Sequence, residues 1–215
     1  MGRGRPARVS PQGLLVTLEG GEGAGKSTQI ARLGERAREL GREVITCREP
    51  GGTEVGEHLR NALFGLTHAP TALTELMTFS AARAELVTTV IQPALERGAV
   101  VICDRFTDST IAYQGYGRGL NIGTIKAINA IATGGLEPDL TLLFDISPSR
   151  GRARGAEGGT DYVEREELTF HERVREGFRT LAHADRDRWI ILDAALPVDE
   201  VTENAWSALR RFLTI

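Results

Sequence analysis

The run Gly20-Gly21-Glu22-Gly23-Ala24-Gly25-Lys26-Ser27 fits G-x-x-x-x-G-K-[ST]. Residues of these types at this spacing hold polyphosphate. Glycines let backbone N–H groups converge on phosphate oxygens with no Cβ in the way, and some of the positions need φ > 0. Lys26 supplies a point charge to the β- and γ-phosphates, and Ser27 offers a hydroxyl to Mg²⁺. A helix that begins here turns its positive end towards the same anion. Asp104 ends the apolar run Ala99-Val100-Val101-Ile102-Cys103, as the magnesium-side aspartate of such a centre does, and Arg105 beside it offers a bidentate fork to a second phosphate.

Other stretches carry the chemistry of a second ligand. Arg48-Glu49-Pro50-Gly51-Gly52-Thr53 is an irregular loop in which Glu49 is either a ligand contact or a solvated carboxylate. Phe79 and Arg83 lie four apart at helical spacing, so a planar base stacked on the ring could be hydrogen-bonded by the guanidinium. Asp108 to Gly119 gathers Ser109, Thr110, Tyr113, Gln114, Tyr116 and Arg118, a density that faces a substrate. Arg150, Arg152 and Arg154 alternate within a glycine-rich stretch that runs to Thr160, the composition of a lid whose arginines reach a transferring phosphoryl group on closure.

These residues need a rigid frame, and the hydrophobic pattern supplies one. Apolar or β-branched runs predict strands at 14–18, 43–47, 99–104, 138–146 and 189–193. Helical spacing predicts a helix after the phosphate loop (Ile30, Leu33, Ala37, Leu40, stopped at Gly41) and others over 54–65, 74–97 with a bend at Pro93, 121–133, 166–184 and 198–213. In the second of these, Arg60 falls off the buried stripe. Strands alternating with helices make an α/β doubly wound five-stranded parallel sheet with helices on both faces, read as one domain over 13–215 with a lid at about 150–162.

Composition narrows the partners. A net charge of −3, with charges spread along the chain, gives no electrostatic case for nucleic acid or an anionic membrane. Cys47 and Cys103 form no C-x-x-C pair and read as reduced core residues. No stretch has the length of a membrane span and no apolar run resembles a secretory signal, so a soluble, unexported, cytoplasmic protein is expected. Residues 1–12, with Arg3, Arg5 and Arg8 among Gly and Pro, read as a flexible basic tail.

With those residues in place, the chain resembles the thymidylate kinase family, bacterial type, from Leu14 to the C-terminus. The resemblance rests on Glu-Gly-Gly-Glu-Gly-Ala-Gly-Lys-Ser-Thr (19–28), Arg-Glu-Pro-Gly-Gly-Thr (48–53), Phe-Ser-Ala-Ala-Arg (79–83) and, most specifically, Asp-Arg-Phe-Thr-Asp-Ser-Thr-Ile-Ala-Tyr-Gln-Gly (104–115). It implies a P-loop NTPase-type nucleoside monophosphate kinase that phosphorylates dTMP to dTDP with ATP and Mg²⁺. ATP would be held by Gly20 to Thr28 and Arg150, and the metal by Ser27 with Asp104 nearby.

The resemblance further implies that Phe79 stacks on thymine, Arg83 donates to its O4, and Thr110 and Gln114 follow its remaining polar edge. Ser109 belongs to the same substrate-binding set. Tyr113 would exclude a 2′-hydroxyl and Glu22 would reach the 3′-hydroxyl. Arg60 and Arg105 would clamp the dTMP phosphate, with Glu49 near it. Lys26, Arg105, Arg152 and Arg154 are the expected catalytic groups, the lid acting because Gly21 to Ala24 carry no basic residue. A homodimer is implied as well. The competing readings are a kinase of the same fold with another nucleotide or deoxynucleoside acceptor, and a P-loop switch that hydrolyses ATP without one.

Overall fold

The structure, a computed structural model, describes residues 13–154 and 161–213; the expected basic tail at 1–12, the centre of the expected lid at 155–160 and residues 214–215 lie outside the described residues. The chain runs β1 (Leu14–Glu19), α1 (Lys26–Glu39), β2 (Val44–Arg48), α2 (Glu54–Phe64), α3 (Ala72–Leu86), α4 (Gln92–Glu96), β3 (Val100–Asp104), α5 (Thr107–Thr110), α6 (Ile122–Thr133), β4 (Leu140–Asp145), α7 (Pro148–Arg154), α8 (Leu168–Ala184), β5 (Trp189–Asp193) and α9 (Val198–Leu213).

The five strands form one parallel sheet in the order β2-β3-β1-β4-β5. The chain leaves β1 towards one edge for β2, returns as β3, then crosses to the other side of β1 for β4 and β5. That reversal opens a crevice at the carboxyl end of β1, where open α/β sheets bind ligands. Every residue of β1 is buried, while the edge strands β2 and β5 include exposed and half-buried positions.

On one face Leu14, Val16 and Leu18 pack with Leu33 and Ala37 of α1 and Val201, Ala205 and Leu209 of α9. Full burial of each such leucine or valine contributes roughly 1.5–3 kcal/mol. The opposite face is covered by Leu86, Ile91 and Phe106 near β3 and by Phe170, Val174 and Phe178 of α8 near β4 and β5. Thr17 and Glu19 interrupt this apolar packing, and both are wholly buried.

Three elements differ from the sequence reading. The helix expected over 74–97 widens into a π turn at Val87–Ile91 before α4, where Gln92 N–H bonds Val87 O. Pro93 has no N–H to continue the α ladder, so the distortion falls in the turn ahead of it. The segment read only as substrate-facing is helical as well, α5 followed by a π turn over Ile111–Gly117. Its β-branched residues and glycines have low helix propensity, and packing on α8 overrides them. A Cβ on Gly117 would sit 2.6 Å from the Phe170 ring, so a larger residue there would hold the two apart. Finally, the start of the expected lid, from Arg150, belongs to a short helix, Pro148–Arg154, and not to a loop.

Candidate active site

The phosphate loop joins β1 to α1. Gly20, Gly23 and Gly25 all have positive φ, and Gly25 in the left-handed region leads directly into Lys26 at the start of α1. Lys26 is buried, and its Nζ donates to the carbonyls of Gly20 and Gly21 at 3.2 and 3.1 Å. Burial, with Arg105 nearby, lowers its pKa. A cavity of about 520 Å³ opens over this loop. It is lined by Gly23 to Thr28, by Asp104 and Glu49, and by Arg154, Ala194, Leu196, Val198 and Val201. Backbone N–H groups, an ammonium and an apolar far end suit a nucleoside triphosphate.

A second cavity, about 170 Å³, lies against the first. Phe79, Phe64 and Tyr113 supply aromatic surface, Arg83, Thr110 and Gln114 buried polar groups, and Asp161, Val163 and Glu164 the remaining side. The two cavities share Glu22, Glu49, Arg60 and Arg105. Arg60 lies over the Phe64 ring at 4.6 Å and donates to Pro50 O at 3.1 Å. Arg105 lies over Tyr113 at 5.0 Å and meets the Glu22 carboxylate at 2.5 Å. Burial acts against the Glu22 charge, yet Arg105 and Lys26 pull that carboxyl down to about 2. The Tyr113 hydroxyl donates to the same oxygen at 3.2 Å.

Glu49, ambiguous in sequence, is buried rather than solvated. Its Oε2 takes the Arg83 Nε and Nη2 at 2.8 and 2.6 Å. Desolvation raises its pKa against the pull of Arg83. Arg83 also donates from Nη1 to Asn129 Oδ1 at 2.7 Å and from Nη2 to Phe106 O at 3.1 Å. A guanidinium has five N–H donors. These contacts occupy four of them and leave one on Nη1, in a side chain that lines the second cavity.

The structure separates the three lid arginines. Arg154 lines the first cavity and donates to Ala194 O and Ala195 O at 2.6 and 3.3 Å. Arg152 donates to the carbonyls of Glu164 and Glu166, at 3.3 and 2.8 Å, beside the second cavity. Arg150 lines a different cavity with Asp145, Arg175 and Asp193, so it is not brought to the phosphate loop. The helix carrying all three rests on that loop: a Cβ on Gly23 would lie 2.0 Å from Gly151 O, and one on Gly151 would lie 2.3 Å from Glu22 O.

The donor set fits a hydrated divalent cation. Asp104 Oδ1 and Glu49 Oε1 are buried carboxylate oxygens with no hydrogen-bond partner among the described residues, and both residues line the first cavity with Ser27. No group of three His, Cys, Asp or Glu side chains forms a metal cluster among the described residues. A cation here would therefore take most of its oxygens from phosphate and water, as Mg²⁺ prefers.

Sequence reading missed Phe64, Asn129 and the Asp161–Glu164 stretch. Phe64 follows Arg60 by four residues, a spacing that was legible; Asn129 and Glu164 reach the site only through tertiary packing.

The thymidylate kinase family model matches residues 18–205. The chain is 49% identical to the thymidylate kinase of Deinococcus radiodurans over 199 residues, covering 92% of this chain and 97% of that one. It is 52% identical to that of a Synechococcus strain over 198 residues, covering 92% and 95%. The crystal structure of thymidylate kinase from Ehrlichia chaffeensis superposes with a TM-score of 0.76 at 33% identity, over 93% of this chain and 99% of that chain. By sequence and by fold, the chain belongs to the thymidylate kinase family.

Proposed function

We propose that this chain phosphorylates dTMP to dTDP, transferring the ATP γ-phosphoryl group in line to a dTMP phosphate oxygen. The observation that carries the reading is the pair of cavities meeting at Arg60 and Arg105, one built on a phosphate loop and the other walled by aromatic rings and a buried guanidinium. The acceptor is already an anion, so no side-chain nucleophile is needed. The obstacle is bringing two polyanions together, and charge neutralisation with positioning removes it.

In this reading Gly20 to Thr28 hold ATP, and Lys26 meets charge developing on its phosphates. Ser27 and Asp104 would hold Mg²⁺, which would supply charge neutralisation at the phosphates. Arg60 and Arg105 clamp the acceptor phosphate beside Glu49. Phe79 stacks on the base, and the remaining Arg83 N–H donates to its O4, with Thr110 and Gln114 along the other edge and Ser109 behind them. Tyr113 and Glu22 select the deoxyribose. Arg152 and Arg154 of α7 serve the transition state, while Arg150, which lines the separate cavity beside Asp145, takes no part in holding ATP.

A homodimer accompanies this reading. Leu73 and Met77, one turn apart on α3, and Ile131 of the adjacent α6 are all exposed, apolar surface that a second copy could cover. Sedimentation at micromolar concentration should give twice the 23.3 kDa of the chain; a single-chain mass would remove the dimer. No described helix is long and apolar enough to cross a membrane, and the proposed site of action is the cytoplasm, without nucleic acid.

The function is tested by comparing kcat/KM for dTMP, UMP, dCMP and thymidine with ATP as donor. dTMP should lead. A better turnover of thymidine or dCMP would reassign the acceptor to another member of the fold.

A further inference from the structure

Glu19 ends β1 with its carboxyl wholly buried, and none of the phosphate chemistry above uses it. A buried carboxyl is tolerated only when its oxygens are bonded, so its partners show what it holds. Oε1 accepts the Phe106 backbone N–H at 2.8 Å, and Oε2 accepts the Ser109 hydroxyl at 2.6 Å. One residue earlier, the Arg105 N–H donates to Leu18 O at 3.0 Å. Arg105, tied to β1 on both sides, has φ 68° and is the only non-glycine residue with positive φ among those described. Such a conformation persists only where the surroundings over-determine it.

Ser109 closes the circuit. The hydroxyl that donates to Glu19 also accepts from Arg105 Nη1 at 3.3 Å. Glu19 thus holds Arg105 through its backbone and, by way of Ser109, through its guanidinium. The fork is thereby delivered to Gly20 O at 3.0 Å and to Glu22, at the junction of the two cavities. A regular β3 extension at residue 105 would send that side chain elsewhere.

We infer that Glu19 is the positioning residue of Arg105, setting the backbone turn and the side-chain direction by which the guanidinium meets the acceptor phosphate. The inference rests on the reading of Arg105 as the acceptor-phosphate clamp. Burial, then the neighbouring Asp108, raises the Glu19 carboxyl to about 8, with Ser109, Arg105 and the Phe106 N–H opposing. When that carboxyl is protonated its Oε2–H donates to Ser109 Oγ in place of accepting from it, an arrangement glutamine copies by keeping an acceptor for the Phe106 N–H and turning an amide N–H on Ser109.

The test is steady-state kinetics of the full chain, varying dTMP and ATP separately, for the wild type, Glu19→Gln, Glu19→Ala, Arg105→Ala and the double variant Glu19→Ala/Arg105→Ala, with circular dichroism as the check on folding. Glu19→Ala should raise the KM for dTMP about tenfold or more and change that for ATP by less than about twofold, while Glu19→Gln stays within about threefold of wild type. In the Arg105→Ala background, removing Glu19 should add less than about twofold, because the two act as one unit.

Equal damage from Gln and Ala, a parallel rise in both KM values, or full additivity with Arg105→Ala would each overturn the inference. If Glu19→Ala does not fold, Ser109→Ala takes its place: it should raise the KM for dTMP and lose that effect without Arg105, and additivity there would overturn the inference equally. An unchanged KM for dTMP in Arg105→Ala would instead remove the clamp itself, a failure distinct from normal clamp behaviour with an indifferent Glu19.

Discussion

Arg83 is packed as a core residue but retains the chemistry of a reading head. Glu49, Asn129 and the Phe106 carbonyl fix its plane, and the N–H left on Nη1 is a donor without an acceptor alternative. In the proposed binding mode thymine O4 would satisfy it, whereas the amino group at the same position of cytosine is another donor and would leave both unpaired. A site of this kind discriminates by about 10⁴-fold, far beyond a single methyl contact. Arg83→Met keeps much of the bulk and removes the donors, so kcat/KM for dTMP should collapse while the dTMP-to-dCMP ratio shrinks; an unchanged ratio would assign base reading to other groups. Glu19 carries a pH signature. Its folded-state carboxyl, raised from 4.5 to about 8 by burial and Asp108, keeps its proton after the unfolded chain has released it. Its contribution to stability is therefore complete below about pH 4.5, falls as pH rises towards 8, and is level beyond. Between pH 5 and 9 the wild-type Tm should fall relative to that of Glu19→Gln by roughly 5 °C or more. A pH-independent difference would mean that Glu19 titrates normally.

At the scale of elements, the phosphate loop and α7 are one contact. Gly23 and Gly151 bring backbone against backbone, so the helix bearing Arg152 and Arg154 is registered on the phosphate loop. Gly151→Ala should separate them, lowering kcat about tenfold with a smaller change in the KM for dTMP, read by kinetics with a thermal melt to follow the cost of moving the backbone apart. Wild-type kcat in that variant would show that the contact is incidental. Local chemistry was legible in the sequence: the glycine spacing of 20–25, the strand ending at Asp104 and the apolar runs of β1, β3 and β4 each announce themselves within a few residues. Long-range dependence was not. Glu19 looks like the polar end of a strand until Phe106 and Ser109, 87 and 90 positions away, bond its two oxygens. Asn129 sits in an unremarkable helix until it meets Arg83, 46 positions earlier. Glycine and arginine content hid α7, and low helix propensity hid the turn at 111–117, because tertiary contacts with the loop and α8 decide both.

Across the whole molecule, the reversal of strand order at β1 gathers the site. The loop after β1, Glu49 after β2, and Asp104 and Arg105 at the end of β3 all arrive at one crevice, and the loop after β5 closes its far side through Ala194 and Leu196. The two cavities share Arg60 and Arg105, so ligands bound in both would be close enough for direct transfer between them. A switch that hydrolyses ATP would have no use for the second cavity. The most direct measurement follows ATP labelled at the γ-phosphate, with and without dTMP, and separates the products chromatographically. The label should pass to dTDP in amounts equal to the ADP formed, with little free phosphate and little turnover when dTMP is withheld. Label released as inorganic phosphate at the same rate with or without dTMP would contradict the account.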